Sequence, residues 1–527
     1  MNLVKATGTI GGLTLISRVL GLVRDSLFVR MVGAGFASDA FLVAFRLPNM
    51  FRALFAEGAF AAAFVPMFNH KVGDPDGRGL RDGLDFAEFA LAILLPVLLA
   101  MTVLLEAFAW PVTLVLSGKF HDVSAQQFAI AVSFSRLQIP YLLFISLTSL
   151  LGGILNSLHR FWVNAAAPIL LNLTLIAALL LFHNHDPLVT ARNQSLAVSL
   201  SGLLQFLWLA WACRRAGVGL KLRRPRLTPE VKRLLSLIWP AAAGAGAVQI
   251  NLVISTALAA GLLAHGAVTY IYMADRLNQL PLGLIGIGLG TVLLPTISRQ
   301  LGAGLAAEAM ETQNRGLELA LLLTLPATAA LVVCGEPIVA ALFGYGRYHA
   351  SDTHATAQAL AAFSIGLPSY VLVKVLTPGF YARQDTRTPV RFAMQSMVVN
   401  LVGNLILIPT IAHIGPPLAT AIASTVNVLM LYVTLRRRGH FVPDARLRRR
   451  APRLALAALA MGGVLYLCQG WLMPYVHAGW VVRIVSMGAL VSAGALVYAL
   501  AAILLGAFSR DDLQLLLRRR TSPTKPN

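Results

Sequence analysis

In the stretch AFRLPNMFRALFAEGAF (Ala44–Phe60), Arg46, Asn49, Arg52 and Glu57 stand among apolar residues. A second stretch, GTIGGLTLISRVLGLVRD (Gly8–Asp25), carries Arg18, Arg24 and Asp25 in the same way. A guanidinium offers five N–H donors in a planar fork, which suits phosphate or carboxylate. Charges kept inside apolar helices are costly and normally face a wet cavity or a partner. Arg18 and Asp25, seven residues apart, share a helix face, so some local pairing is expected. Yet Arg18, Arg24, Arg46 and Arg52 outnumber Asp25, Asp39 and Glu57, and Asp39 and Glu57 lie towards the ends of their helix. A surplus of arginine reads as an anion site. The competing reading is a closed salt-bridge network that locks helices together.

The elements that hold these groups follow from composition. The chain has 527 residues, 57% hydrophobic and 12% charged, against about 25% charged in a soluble protein. Runs such as FALAILLPVLLAMTVLLEAFAW and LVSAGALVYALAAILLGAF have the ~20 residues that cross a bilayer as a helix. No segment alternates as a membrane strand does. The expected fold is all-α and polytopic. Fourteen spans begin near residues 7, 36, 84, 127, 163, 194, 232, 268, 315, 355, 390, 416, 453 and 480. The N-terminal run is long, holds Arg18 and Arg24, and has no convincing cleavage site, so it reads as a retained first span. At 1.5 Å per residue, Arg18 and Arg46 lie roughly 15 Å into their spans, where snorkelling is hardest.

Charge tests the topology. With fourteen spans and a cytoplasmic N-terminus, thirty-one of the 43 basic residues fall in inside loops and termini and four in outside loops. That is the positive-inside bias, and it places both termini in the cytoplasm. The net charge of +21 is spread through these short loops, so topology and anionic lipid explain it better than nucleic acid. The other eight lie within spans: Arg18, Arg24, Arg30, Arg46, Arg52, Arg136, Arg276 and Lys374. Arg30 reads as an interfacial anchor, and Arg136 and Lys374 stay open.

A shift of 230 residues brings out an internal repeat. Ser38–Phe68 then faces Val268–Ser298, Ala44 meets Ala274, Arg46 meets Arg276, Leu47 meets Leu277 and Gly58 meets Gly288. The second and eighth spans are thus equivalent, which implies two six-helix halves in parallel orientation, a plan in which transporters bind substrate between repeats. The glycines of PLGLIGIGLGTVLLP read as helix-packing residues, because no lysine is followed by Ser or Thr as a phosphate-binding loop requires. His183, His185 and Asp186 read as a solvated loop rather than a metal site. Cys213, Cys334 and Cys468 form no framework. No catalytic constellation is evident, so the chain is expected to be a transporter without a cofactor.

GTIGGLTLISRVLGLVRD, SDAFLVAFRLPNMFRALFAEGAFAAAFVP and MADRLNQLPLGLIGIGLGTVLLP together resemble the MurJ (MviN) family of bacterial lipid II flippases, in the multidrug/oligosaccharidyl-lipid/polysaccharide exporter superfamily. The resemblance runs through essentially the whole chain. It implies two six-helix lobes around a central cavity, with two further helices forming a groove for the lipid tail. It implies a multi-pass protein of the bacterial inner membrane that carries undecaprenyl-pyrophosphate disaccharide-pentapeptide to the outer leaflet, and it makes cell-wall synthesis proteins candidate partners. Matched to the family's motifs, the cavity arginines are Arg18, Arg24, Arg52 and Arg276, with Asp39 and Asn49 as polar partners; Arg46 joins them from its depth. Gln279 stands where some members carry an acid, and Asn251 and Asp385 are candidate ligands of a sodium ion that some members bind. The expected organisation is an N-terminal lobe (1–215), a basic linker (216–231), a C-terminal lobe (232–438), a basic loop (439–452), the two tail-groove helices (453–508) and a cytoplasmic tail (509–527). The alternatives are a flippase for another polyprenyl-pyrophosphate-linked glycan, and a drug or cation antiporter, which would favour acids over arginines.

Overall fold

The structure is a computed structural model and describes residues 3–55, 59–73, 78–476 and 480–507. Glu57, Gly58 and the expected tail 509–527 lie outside the described residues. In chain order the helices are α1 (Leu3–Val32), α2 (Phe36–Phe55), α3 (Ala59–Val72), α4 (Leu80–Ala107), α5 (Ala109–Ser117), α6 (Ala125–Gln138), α7 (Tyr141–Ser157), α8 (Phe161–Phe182), α9 (Pro187–Arg215) and α10 (Pro229–Leu262). They continue with α11 (Ala267–Gly302), α12 (Ala306–Val333), α13 (Gly335–Phe343), α14 (Ala350–Ile365), α15 (Leu367–Tyr381), α16 (Arg387–Ile411), α17 (Gly415–Arg437), α18 (Ala445–Val476) and α19 (Trp480–Leu504), with one 3-10 turn at Ala412–Ile414. Among the described residues there is no strand, and ten stretches are long and apolar enough to cross a membrane. Three of them, Ala125–Ser157, Ala350–Tyr381 and Arg387–Arg437, each hold two helices. Each of the fourteen expected starts falls inside a helix, and several spans are broken pairs such as α6–α7 and α14–α15.

Local sequence explains the ends. Ser124 and Gln127 form a capping box at α6, and Asp186 caps α9 with Pro187 in its first turn. Thr228 does the same before Pro229 at α10. A helix start leaves N–H groups orphaned, and an oxygen at the cap satisfies one of them. Prolines sit inside α2, α3, α4, α8, α11, α12, α15 and α16, as membrane helices tolerate.

The chain divides into two compact units, Met1–Tyr270 with Tyr345–Asp352, and Ile271–Gly344 with Thr353–Asn527. In the first, α1 packs along α8, α8 and α7 along α9, and α2 against α6, α7 and α9. Its core stacks Phe60, Phe64 and Phe86 around one another, with ring centroids 5.3 and 5.5 Å from Phe64. Within the first unit α10 packs on α2, α3 and α5. Buried Val231 and Leu234, and the Lys71–Glu230 ion pair at 3.1 Å, hold it there. In the second unit α16 pairs with α17, α15 lies on α12 and α17, and the α18–α19 hairpin rests on α12.

The shift of 230 extends well beyond the second and eighth spans. It aligns Glu88 with Glu318, Pro96 with Pro326 and Glu106 with Glu336, and α4–α5 with α12–α13. The equivalence is physical. Glu88, 4% exposed, accepts from the Lys221 backbone N–H at 2.9 Å and pairs with Arg223, which also pairs with Asp85. Glu318, 9% exposed, pairs with Arg446 at 3.1 Å and with Arg315 and Arg450. In each half one buried carboxylate on the third span pins the basic segment that follows the sixth.

Candidate functional site

α1 positions Arg18 and Arg24 as one continuous helix. Arg24 is 8% exposed and its charge is answered locally. Its Nε and Nη2 donate to Asp25 Oδ1 at 2.9 and 2.6 Å, and its Nη1 donates to Asn172 Oδ1 on α8 at 3.1 Å. Asn172 Nδ2 in turn donates to the Ser17 carbonyl at 2.9 Å, so the side chain bridges α8 to α1. Asp25, 3% exposed, therefore serves Arg24, where the sequence reading had offered it to Arg18. Arg18 is half-buried and makes no ion pair or hydrogen bond with another described residue. Asn172 was missed in the sequence, although an asparagine midway along the apolar α8 was the signal.

Arg46, Asn49 and Arg52 recur at every third position of α2 and share one broad face, all half-buried. Arg52 Nε donates to Asn49 Oδ1 at 3.1 Å, one turn back. Pro48 lies between them and lacks the N–H that would bond the carbonyl four residues earlier. In the second unit Arg276 is half-buried on α11, and Gln279 Nε2 donates to Asp275 Oδ2 at 2.6 Å. The glutamine thus pairs with the acid just before Arg276. Lys374 on α15 is exposed and its stem lies over Gly286, where a Cβ would stand 2.9 Å from Cδ and Nζ. That close approach accounts for one glycine of the α11 run.

Asp39 has a different setting from the one expected of a binding residue. It is 3% exposed, and both carboxylate oxygens are taken. Oδ2 accepts the Gly266 N–H at 2.6 Å, and Oδ1 accepts the Thr269 N–H at 2.9 Å and the Thr269 hydroxyl at 2.6 Å. Gly266 has φ +96, a left-handed conformation suited to glycine. Asp39 therefore caps the start of α11 from across the first unit, where the helix dipole favours a negative charge. Beside it, Tyr270 Oη donates to Asp352 Oδ1 at 2.7 Å, and Asp352 Oδ2 accepts the His349 N–H at 2.8 Å. The Arg347 N–H donates to the Arg30 carbonyl at 3.0 Å. These contacts tie segments 266–270 and 345–352 to the end of α1 and the start of α2.

Of the two candidate sodium ligands, Asp385 is already held by a guanidinium. Asp385 lies in the turn between α15 and α16, where Arg438 Nη1 donates to its Oδ2 at 2.7 Å and the Thr388 N–H to its Oδ1 at 3.0 Å. These bonds hold its carboxyl at about 2, below the ordinary 3.8. A guanidinium on the carboxylate opposes a metal ion there. Asn251 is half-buried on α10. Among the described residues no group of three His, Cys, Asp or Glu is placed to hold a metal.

Known proteins resemble this chain over most of its length. The sequence profile of the family described as "Lipid II flippase MurJ" matches residues 28–487. A probable lipid II flippase MurJ from Rhizobium tropici is 41% identical over 526 residues, covering 99% of this chain and 97% of that one. Lipid II flippase MurJ from Burkholderia cenocepacia is 38% identical over 476 residues, covering 89% and 90%. Among solved structures, "Lipid II flippase MurJ, inward closed conformation" has a TM-score of 0.76 at 22% identity, covering 97% of this chain and 99% of that one. An inward-facing multidrug resistance MATE family transporter of the MOP superfamily has 0.65 at 17%, covering 80% and 94%; at these identities the likeness is one of fold. This chain belongs to the lipid II flippase MurJ family.

Proposed function

We propose that this chain is a lipid II flippase. It moves a polyprenyl-diphosphate-linked peptidoglycan precursor from the inner to the outer leaflet of the bacterial inner membrane, with both termini in the cytoplasm. One observation carries the reading: relatives that bear this name match 99% of the chain at 41% identity. The arginines of α1 and α2 agree with it, since a diphosphate is the anion that forked donors recognise best.

In the proposed cycle the two halves alternate access. Arg18, Arg52 and Arg276 meet the diphosphate, aided by Arg46 and Asn49, while the polyprenyl tail stays in lipid beside α18 and α19. Arg24 begins paired with Asp25 and Asn172, and must exchange part of that pairing for phosphate oxygens. An incoming anion then competes with Asp25, and release is assisted when Asp25 returns. Asp39 acts at a distance, by holding the start of α11. The glycines at 8, 11, 12 and 21 give α1 the freedom to bend. The driving force is the membrane potential or an ion bound elsewhere than at Asp385.

The Arg24–Asp25–Asn172 network also favours a second reading for that one residue, a purely structural brace between α1 and α8. Translocation of labelled lipid II by the purified chain in vesicles tests the function. An undecaprenyl-linked glycan of another pathway serves as the competitor, and translocation of that glycan alone overturns the assignment.

A further inference from the structure

A cavity in the first unit is lined by none of the arginines of α1 and α2. It has a volume of about 730 Å³ and lies between the end of α3, the start of α4 and the start of α10. Its apolar lining is Ala63, Met67 and Phe86 within, and Ala62, Pro66 and Leu237 at its exposed mouth. Its rim carries His70, Lys71, Glu230 and Arg233. Lys71 and Glu230 neutralise one another at 3.1 Å across the rim. Arg233 and His70, both exposed, make no ion pair with another described residue, so the rim's uncompensated charge is positive. Along α10 the apolar Leu237 lies about 10 Å beyond Glu230 and about 6 Å beyond Arg233, so the cavity passes from charged residues into apolar ones. The polar and apolar parts are stacked as in one leaflet of a bilayer, headgroup depth above hydrocarbon depth. The volume falls in the ~300–1,000 Å³ range of small-ligand sites.

We propose that this cavity holds one anionic membrane phospholipid, with its phosphodiester on Arg233 and His70 and the upper part of an acyl chain against Phe86, Met67 and Leu237. The charge favours an anion, because a zwitterionic headgroup would bring a cation to a rim already cationic. The apolar descent selects a lipid over a free phosphate, which would leave most of the cavity unfilled. The site joins α3 to α10 beside the polar tie of Lys71 and Glu230, so the bound lipid packs the remaining gap. Bilayers offer anionic lipid at this depth to basic segments.

The test uses the full chain, purified in mild detergent and mixed with phosphatidylglycerol, phosphatidylcholine or inorganic phosphate, then read by native mass spectrometry. The wild type should retain one phosphatidylglycerol that Arg233→Gln retains roughly tenfold less, with no such difference for phosphatidylcholine. Ala62→Phe, which fills the exposed mouth without touching the charges, should lose the same lipid. Equal retention by the wild type and both variants overturns the proposal. Displacement of the lipid by millimolar inorganic phosphate also overturns it, because the site is then a plain anion site. Displacement by undecaprenyl diphosphate overturns it too, because the cavity then belongs to the substrate's path.

Discussion

Arg24 separates a brace from a binding group, and substitution can tell them apart. Arg24→Ala removes three hydrogen bonds and leaves Asp25, 3% exposed, without its guanidinium. Breaking a buried pair from one side costs about 3–5 kcal/mol, mostly from the stranded charge. Arg24→Ala with Asp25→Asn removes both charges together, so most of that loss should return and leave a deficit of about 1–2 kcal/mol from the missing hydrogen bonds. Thermal unfolding in detergent checks this: a clear drop for the single variant and a partial recovery for the double. Lipid II translocation should behave differently. If the guanidinium contacts the diphosphate, the double variant loses charge-assisted hydrogen bonds of about 1.5–3 kcal/mol, roughly tenfold to a hundredfold in rate. A double variant that recovers both stability and translocation would refute the clamp and leave Arg24 as a brace between α1 and α8.

Three further outcomes follow from the same geometry. Asp39→Ala strips the acceptor from the Gly266 and Thr269 N–H groups, at about 1–3 kcal/mol for each buried orphan; amide exchange at 266–269 should speed up, and unchanged protection there refutes the cap. Glu318→Gln and Glu88→Gln should loosen equivalent places, raising exchange in 445–453 for the first and in 220–224 for the second, since each removes the carboxylate that pins a basic segment; exchange unchanged at both contradicts the equivalence. Asp385 has its folded-state carboxyl at about 2 against an ordinary 3.8, so its tie to Arg438 is fully present above pH about 3.8 and fades as the pH falls towards about 2. Asp385→Asn should therefore raise exchange at 383–388 at neutral pH and make little difference near pH 2, and an equal effect at both refutes the sign.

The fold was legible because membrane helices announce themselves by length and composition. The repeat was legible at Arg46 and Arg276, where a rare residue type falls in register. It was equally present at Glu88 and Glu318, but a carboxylate near a span end looks like an ordinary interfacial residue until its arginines are seen. The site was less legible. Arg24 looked unpartnered because the neighbouring Asp25 seemed to serve Arg18, and because Asn172 is distant in sequence. Asp39 was recognised as important, but its partners lie 227 and 230 residues away. Periodicity reports which face a residue occupies and says nothing of what docks there. The packing of α10 was hidden for a similar reason: a basic linker marks a change of side, whereas Val231, Leu234 and Glu230 tie the helix to its neighbours.

The central claim is that arginines held at membrane depth carry a diphosphate headgroup across. The most direct measurement is the rate at which purified chain in vesicles exposes labelled lipid II to an external reagent, for the wild type and for Arg18→Ala. Arg18 has no ion pair or hydrogen bond with another described residue, so its loss should leave folding intact and slow translocation at least tenfold. Wild-type translocation by a folded Arg18→Ala chain would contradict the claim.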